Sequence, residues 1–294
     1  MNKKKTAITI FFSILLIIIV SCSDINPFFA GGVVPGGNWI YFSEGSNIKR
    51  MRLDGSELES VFTVDTSEIR EIQLDPFRQK IYISSHIGAT AEKIREYNLD
   101  GSGSKEIINT DAIPIVDMKI DAAAGYLYYI SSNYIKKVLL ETGKITNYFD
   151  GPSMAMTPDQ ITPDYKGGVY FLDGGSLNKV IDLNSFTWID VHPTAPTISA
   201  GGLYYDKMND YLYYYDTGSI YKVDPLTGNS SNLSVFEDIQ NSMALYPSDD
   251  KIYFYDAHAA VMPYTIFSIN MDGSGKKTVY SNNFEINAFD ILSK

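Results

Sequence analysis

Cysteine is almost missing: the 294 residues contain one, Cys22. A lone thiol closes no intrachain disulfide, so no disulfide framework holds this fold together. Nor does it supply a thiolate zinc site, which needs several such ligands. Histidine is nearly as scarce, with three residues, His86, His192 and His258. Positive charge is in deficit: 24 Lys and Arg stand against 35 Asp and Glu, for a net charge of −11. No basic stripe follows Lys3, Lys4 and Lys5, and phosphate binding needs one, so nucleic acid is not an expected partner. Neither a Gly-x-Ser-x-Gly nucleophile elbow nor a His-Glu-x-x-His zinc motif is present. The one long apolar run, Thr6 to Val20, is shorter than the roughly 20 residues that span a bilayer.

What is present is an ordinary globular balance, 45% hydrophobic and 20% charged, which argues against disorder. Tyrosine is abundant at 22 residues and suits strands whose outer faces are half exposed. At the N-terminus, Lys3 to Lys5 followed by the apolar run has the form of a targeting segment. Its end, Ile19-Val20-Ser21-Cys22, resembles the bacterial lipobox. That resemblance implies a signal peptide over 1–22 and lipid attachment at Cys22, with acyl chains of the palmitate kind. One acyl chain gives marginal membrane binding and several give stable anchoring, so the membrane is the first expected partner. In enterobacterial lipoproteins an aspartate at the place of Ser23 favours inner-membrane retention; here Asp24 comes one place later. The expected address is the bacterial cell envelope, outer membrane in preference to inner. Residues 23–37 hold two Pro and four Gly and read as a tether without regular structure, with Phe28 and Phe29 available to dock on the domain.

From Asn38 to Lys294 the chain repeats. An apolar residue followed by Tyr recurs at Tyr41, Tyr82, Tyr128, Tyr170, Tyr213 and Tyr253, at intervals of 41, 46, 42, 43 and 40. A period of this size is a repeat-architecture signature, and four short strands with their turns fill about 40–45 residues, one propeller blade. Each unit's second half repeats as well. Asp54-Gly55, Asp100-Gly101 and Asp272-Gly273 each follow an apolar strand end and read as two-residue hairpin turns. Thr142-Gly143, Asn184-Ser185 and Thr227-Gly228 take the same place with related chemistry. The residues one and three before each turn are apolar six times over, which is strand periodicity.

The stagger of the units predicts the ends. Residues 38–62 supply three strands of the first blade. Glu285 to Leu292 lines up with Glu68 to Asp75, an innermost-strand segment, but has no seventh tyrosine after it. It is expected to pair with the strand at Tyr41 and close the ring, which removes open sheet edges. The expected fold is therefore all-β, a six-bladed β-propeller of four-stranded blades over 38–294.

These tetrads, Tyr41-Phe-Ser-Glu44, Tyr82-Ile-Ser-Ser85, Tyr128-Tyr-Ile-Ser131, Tyr170-Phe-Leu-Asp173, Tyr213-Tyr-Tyr-Asp216 and Tyr253-Phe-Tyr-Asp256, resemble the YWTD propeller of low-density-lipoprotein-receptor class B repeats. Asp is kept in the last three and Trp in none. The resemblance implies the fold; it does not carry over the receptor's partners, which depend on surface side chains.

In such a blade, the loops joining strands two and three share a face with those joining strand four to the next blade. Two loops of the first kind are long: 84–91, with His86 and Ile87, and 256–264, with His258, Met262 and Tyr264. His192 falls on a loop of the second kind. Binding residues gather on loops of a rigid scaffold, so this face is the expected binding face for an unknown protein, peptide or glycan. A histidine metal site is not expected, because His192 belongs across the ring. The leading expectation is a non-catalytic binding or scaffold module with no catalytic residue and no cofactor. The alternative is a divalent-metal-dependent hydrolase or lactonase. The stretch from Thr157 to Tyr170 resembles six-bladed propeller lactonases, and oxygen donors such as Asp117 and Asp159 suit a channel Ca2+.

Overall fold

The computed structural model describes residues 37–87, 91–110, 113–182, 187–192, 202–216, 218–235, 239–256 and 263–292. The expected signal peptide, Cys22 and nearly all of the expected tether lie outside them, as do His258 and Met262. The described strands form six four-stranded antiparallel sheets. Five are consecutive in sequence. The sixth takes strands two to four from the start of the domain and strand one from its end. Numbered from the N-terminus, the innermost strands of blades 1 to 6 are Phe289–Leu292, Glu68–Asp75, Ile115–Asp121, Pro158–Pro163, Leu203–Asp206 and Ile239–Tyr246. Each contacts the innermost strand of its neighbours in that order, and Ile239–Tyr246 contacts Phe289–Leu292, so the chain is a closed six-bladed β-propeller.

Closure occurs at the expected place with a shorter strand. Trp39 pairs with Leu292, Ile40 with Ile291, Tyr41 with Asp290 and Phe42 with Phe289. Of residues 285–288, expected to extend that strand, Ala288 adds links to Ser43: Ser43 N–H donates to the Ala288 carbonyl at 2.9 Å and Ala288 N–H donates to the Ser43 hydroxyl oxygen at 3.0 Å.

The hydrophobic core is divided among the blade interfaces. Trp39, Tyr41 and Ile48 of blade 1 pack with Ile69, Ile81 and Tyr97 of blade 2. Equivalent clusters join blades 6 and 1, 2 and 3, 5 and 6, 3 and 4, and 4 and 5. No blade buries its own apolar face, which is why the repeats fold only as a ring. The tetrad tyrosines belong to these cores. Tyr41, Tyr82, Tyr128, Tyr170, Tyr213 and Tyr253 are all buried, not half exposed as their abundance suggests. The rings pack inward, and the hydroxyls of Tyr41, Tyr82 and Tyr170 meet a strand-three neighbour. Arg50 donates to the Tyr41 hydroxyl at 3.0 Å, Tyr82 donates to Glu96 at 3.0 Å, and Lys179 donates to Tyr170 at 3.3 Å.

The Asp-Gly turns differ from the two-residue form. Gly55, Gly101 and Gly273 lie at φ +87°, +84° and +86°, while Asp54, Asp100 and Asp272 keep negative φ. Gly55 N–H donates back to the Arg52 carbonyl and Arg52 N–H to the Ser56 carbonyl, which makes the loop three residues long: a type I turn closed by a left-handed glycine. Asp54 holds it by accepting from Ser56 N–H at 2.9 Å and from the Ser56 hydroxyl at 2.6 Å. The glycine also permits contact between blades. A Cβ on Gly55 would lie 2.1 Å from the Val279 carbonyl oxygen in the outer strand of blade 6.

Candidate functional site

An innermost strand pairs on one side only, so its other edge offers backbone N–H groups to the channel. A ring of side chains satisfies them. Asp290 Oδ2 accepts from Leu74 N–H at 2.8 Å, Gln73 Oε1 from Ile120 N–H at 3.3 Å, and Asp117 Oδ2 from Ile161 N–H at 2.7 Å. Thr162 Oγ1 then accepts from Tyr205 N–H at 3.2 Å and the Tyr204 hydroxyl from Met243 N–H at 3.3 Å. The Tyr255 hydroxyl accepts from Ile286 N–H at 3.4 Å and completes the circuit from blade 6 to blade 1. Each blade thus reaches the next with one acceptor, and the channel wall is fixed all round.

Above this girdle lies a cavity of about 200 Å³. All six blades line it, through Asp290, Gln73 with Phe77, Lys119 with Ala122 and Ala123, Thr162 and Tyr165, Tyr204 with Lys207, and Leu245 with Pro247. The turns among these, at 76–77, 122–123, 165, 207 and 247, join strands one and two. The mouth therefore opens on the hairpin side of the ring, opposite the face that carries the long strand-two-to-three loops. Its width follows from short turns. Asp75, Asp121 and Asp206 each cap one by accepting N–H groups two or three residues on. Phe77, 63% exposed, and Pro247 stand on these turns and line the opening, so the mouth has an apolar rim around a polar floor.

Lys119 sets the electrostatics of the floor. Its ammonium donates to Asp117 at 2.7 Å, lies 3.9 Å from Glu71, and sits 5.2 Å from the centre of the Tyr204 ring. Burial alone would lower its pKa; the charges of Asp117 and Glu71 hold it well above its ordinary value. Glu71 moves the other way. Burial pushes its carboxyl up to about 8, with Lys119 opposing and the Asp117 and Asp290 charges adding to the rise. Burial also raises Asp290 to about 6, against the pull of the N–H groups of Ile291 and Leu74.

Apart from Asp117, the residues singled out by sequence fall elsewhere. His86 ends strand two of blade 2, Lys80–Ile87, with Nδ1 2.9 Å from Glu92 Oε1. Glu92 is buried and has Arg70 at 3.4 Å as its second counter-charge. Its Oε2 has no partner among the described residues. His86 is therefore a partner of a buried carboxylate. Ile87 is the last residue of the same strand, and His192 is the last residue of Thr187–His192, paired with Leu177. Tyr264 opens Tyr264–Asn270 and stacks on Tyr255 with centroids 6.1 Å apart. The structure does not bring these residues into a common cavity among the described residues. Asp117 is committed to Lys119 and Ile161, and Asp159 is exposed at a bulge. Among the described residues no three His, Cys, Asp or Glu side chains converge on a metal-sized site. Of the girdle, the sequence singled out Asp117 alone, as a channel oxygen donor; its other members and the mouth were not singled out. The one available signal was Lys119, a lysine two residues after an aspartate within a strand that reads as interior.

No protein-family model matches the chain, and no curated protein matches it in sequence. Solved structures do match in fold. A chain of a nidogen/laminin complex superposes with a TM-score of 0.70 at 14% identity, covering 87% of this chain and 99% of that one. TolB from Acinetobacter baumannii superposes with a TM-score of 0.69 at 13% identity, covering 88% of this chain and 67% of that one. The fold is that of a six-bladed β-propeller.

Proposed function

We propose that this chain is a lipid-anchored, extracytoplasmic binding module that takes a segment of a protein or peptide partner at the channel mouth. The observation that carries the reading is the apolar rim of Phe77, Pro247 and Tyr165 around a hydrogen-bonding floor. Ligand sites combine mostly apolar walls with a few placed polar groups. The cavity's 200 Å³ falls below the roughly 300 Å³ at which small-molecule pockets begin, so it suits one side chain or a chain end. One structural neighbour was solved as a nidogen/laminin complex, which supports protein binding as a use of this fold. Cys22 is the attachment point for lipid, and the outer membrane of a bacterial envelope is the expected address.

Site-specific photocrosslinking tests the reading. A benzophenone amino acid at position 77, on the rim, is expected to trap an envelope protein. The same group at position 226, where Leu226 is 93% exposed on the outer strand-three-to-four turn of blade 5 and does not line the cavity, is expected to trap none. Equal adducts at both positions, or adducts at 226 alone, contradict the assignment.

A further inference from the structure

The mouth is unequal in hydrogen-bond donors and acceptors. Its side-chain acceptors are committed to the girdle. Both oxygens of Asp290 accept backbone N–H groups at 2.8 Å, and Gln73 Oε1 accepts another. Thr162 and Tyr204 accept in the same ring, but a hydroxyl that accepts still has its proton to give. Among the described residues, no protein acceptor takes the hydroxyl protons of Thr162, Tyr204 or Tyr165. Lys119 lies on the floor beside them and Lys207 lines the rim. The girdle therefore consumes lone pairs and leaves protons facing the cavity.

Tyr165 adds an independent observation. Its φ is +56°, a left-handed conformation that is an outlier for a bulky side chain. The other first hairpins place a left-handed residue just before strand two, at Gln79, Gly125, Asp210 and Asp250, and blade 4 uses Gly167 there. Tyr165 is an addition, directly after the capping Asp164. Its ring is 39% exposed, within the mouth. Strain of this kind persists where the surrounding structure enforces it, and it clusters at ligand clamps.

We propose that the mouth is a carboxylate site, which admits the free C-terminal carboxylate and apolar last residue of a partner peptide. The carboxylate oxygens accept from the hydroxyls of Thr162, Tyr204 and Tyr165 and from the Lys119 ammonium. The last side chain rests against Phe77 and Pro247. A charged acceptor gains more from such donors than a neutral one, and a chain end fits where a loop of chain does not. The inference rests on the binding reading above and narrows its ligand class.

Two pools of random hexapeptides, identical except for a free acid or an amide at the C-terminus, are passed over the full-length chain held in detergent micelles. The free-acid pool is expected to be retained at least tenfold more. In the Tyr165→Gly variant, relief of the left-handed strain holds or raises Tm, which shows that the variant folds. Its retention of the free-acid pool is expected to fall about tenfold. Equal retention of both pools overturns the carboxylate inference and leaves peptide binding standing. Retention of neither pool overturns both. A folded Tyr165→Gly chain that keeps full retention overturns the role given to Tyr165 and, with it, the site.

Discussion

Asp290 Oδ2 accepts a hydrogen bond from Leu74 N–H at 2.8 Å, although 216 residues separate the two in sequence. The contact joins the strand that closes the ring to the first complete blade, and it is one link of a six-part girdle. Asp290→Ala leaves the Leu74 N–H without its acceptor, at a cost of about 1–3 kcal/mol for a buried donor. Asp290→Asn keeps a carbonyl oxygen there and is expected to lose less. Urea melts of the two variants check the order.

Lys119 is expected to matter more than any single hydroxyl. Lys119→Met strands the Asp117 carboxylate, which is fully buried, and breaking a buried pair from one side costs about 3–5 kcal/mol. Adding Asp117→Asn removes the stranded charge while keeping an acceptor for Ile161 N–H. The double variant is expected to recover most of the loss, and a double-mutant cycle measures the coupling.

The channel carboxyls give stability a pH slope of defined sign. Glu71 titrates near 8 in the folded chain against an ordinary 4.5, and Asp290 near 6 against 3.8. Between those values the folded chain holds protons that the unfolded chain has released. These groups therefore favour folding at low pH, and their contribution falls as pH rises from about 4 to 8. A tenfold difference in proton affinity is worth about 1.4 kcal/mol, so the effect is visible in Tm. Glu71→Gln is expected to flatten the fall between pH 5 and 8 and to be more stable than the parent above pH 8.

Gly55 tests the blade contact. Gly55→Ala places a Cβ 2.1 Å from the Val279 carbonyl, at a φ of +87°. Backbone on both sides leaves nothing flexible to yield, so a loss of about 2 kcal/mol or more is expected from overpacking and strain together. Gly143→Ala is the control: it has a similar φ of +71° and open space around it, so it is expected to show the strain alone.

Architecture was legible because it repeats. The apolar-Tyr pairs gave the blade count, and the alignment of 285–292 with 68–75 gave the closure, since both depend on spacing and on β periodicity. The girdle was not legible. Its members are Asp, Gln, Asp, Thr, Tyr and Tyr, four residue types meeting one geometric demand, and no single type marks the position in every blade. The mouth was missed for a related reason. Long loops and histidines drew attention to one face, while the cavity on the other is shaped by short turns and by Ala122 and Ala123. Asp54-Gly55 was read as a two-residue turn because the dipeptide suits both hairpins; the choice lay with Ser56, whose N–H and hydroxyl hold the Asp54 carboxylate.

Ring closure by the last strand positions everything else, and a disulfide tests it most directly. Ile40 and Ile291 stand opposite each other in the closing pair, and directly opposed antiparallel Cα atoms, at about 4.5–5.5 Å, suit the geometry of a disulfide. In a Cys22→Ser background, Ile40→Cys with Ile291→Cys is expected to oxidise to an intramolecular link, giving a monomer of raised Tm that migrates faster on a non-reducing gel. Persistent free thiols, or cross-linked dimers in place of the monomer, would contradict the closed ring.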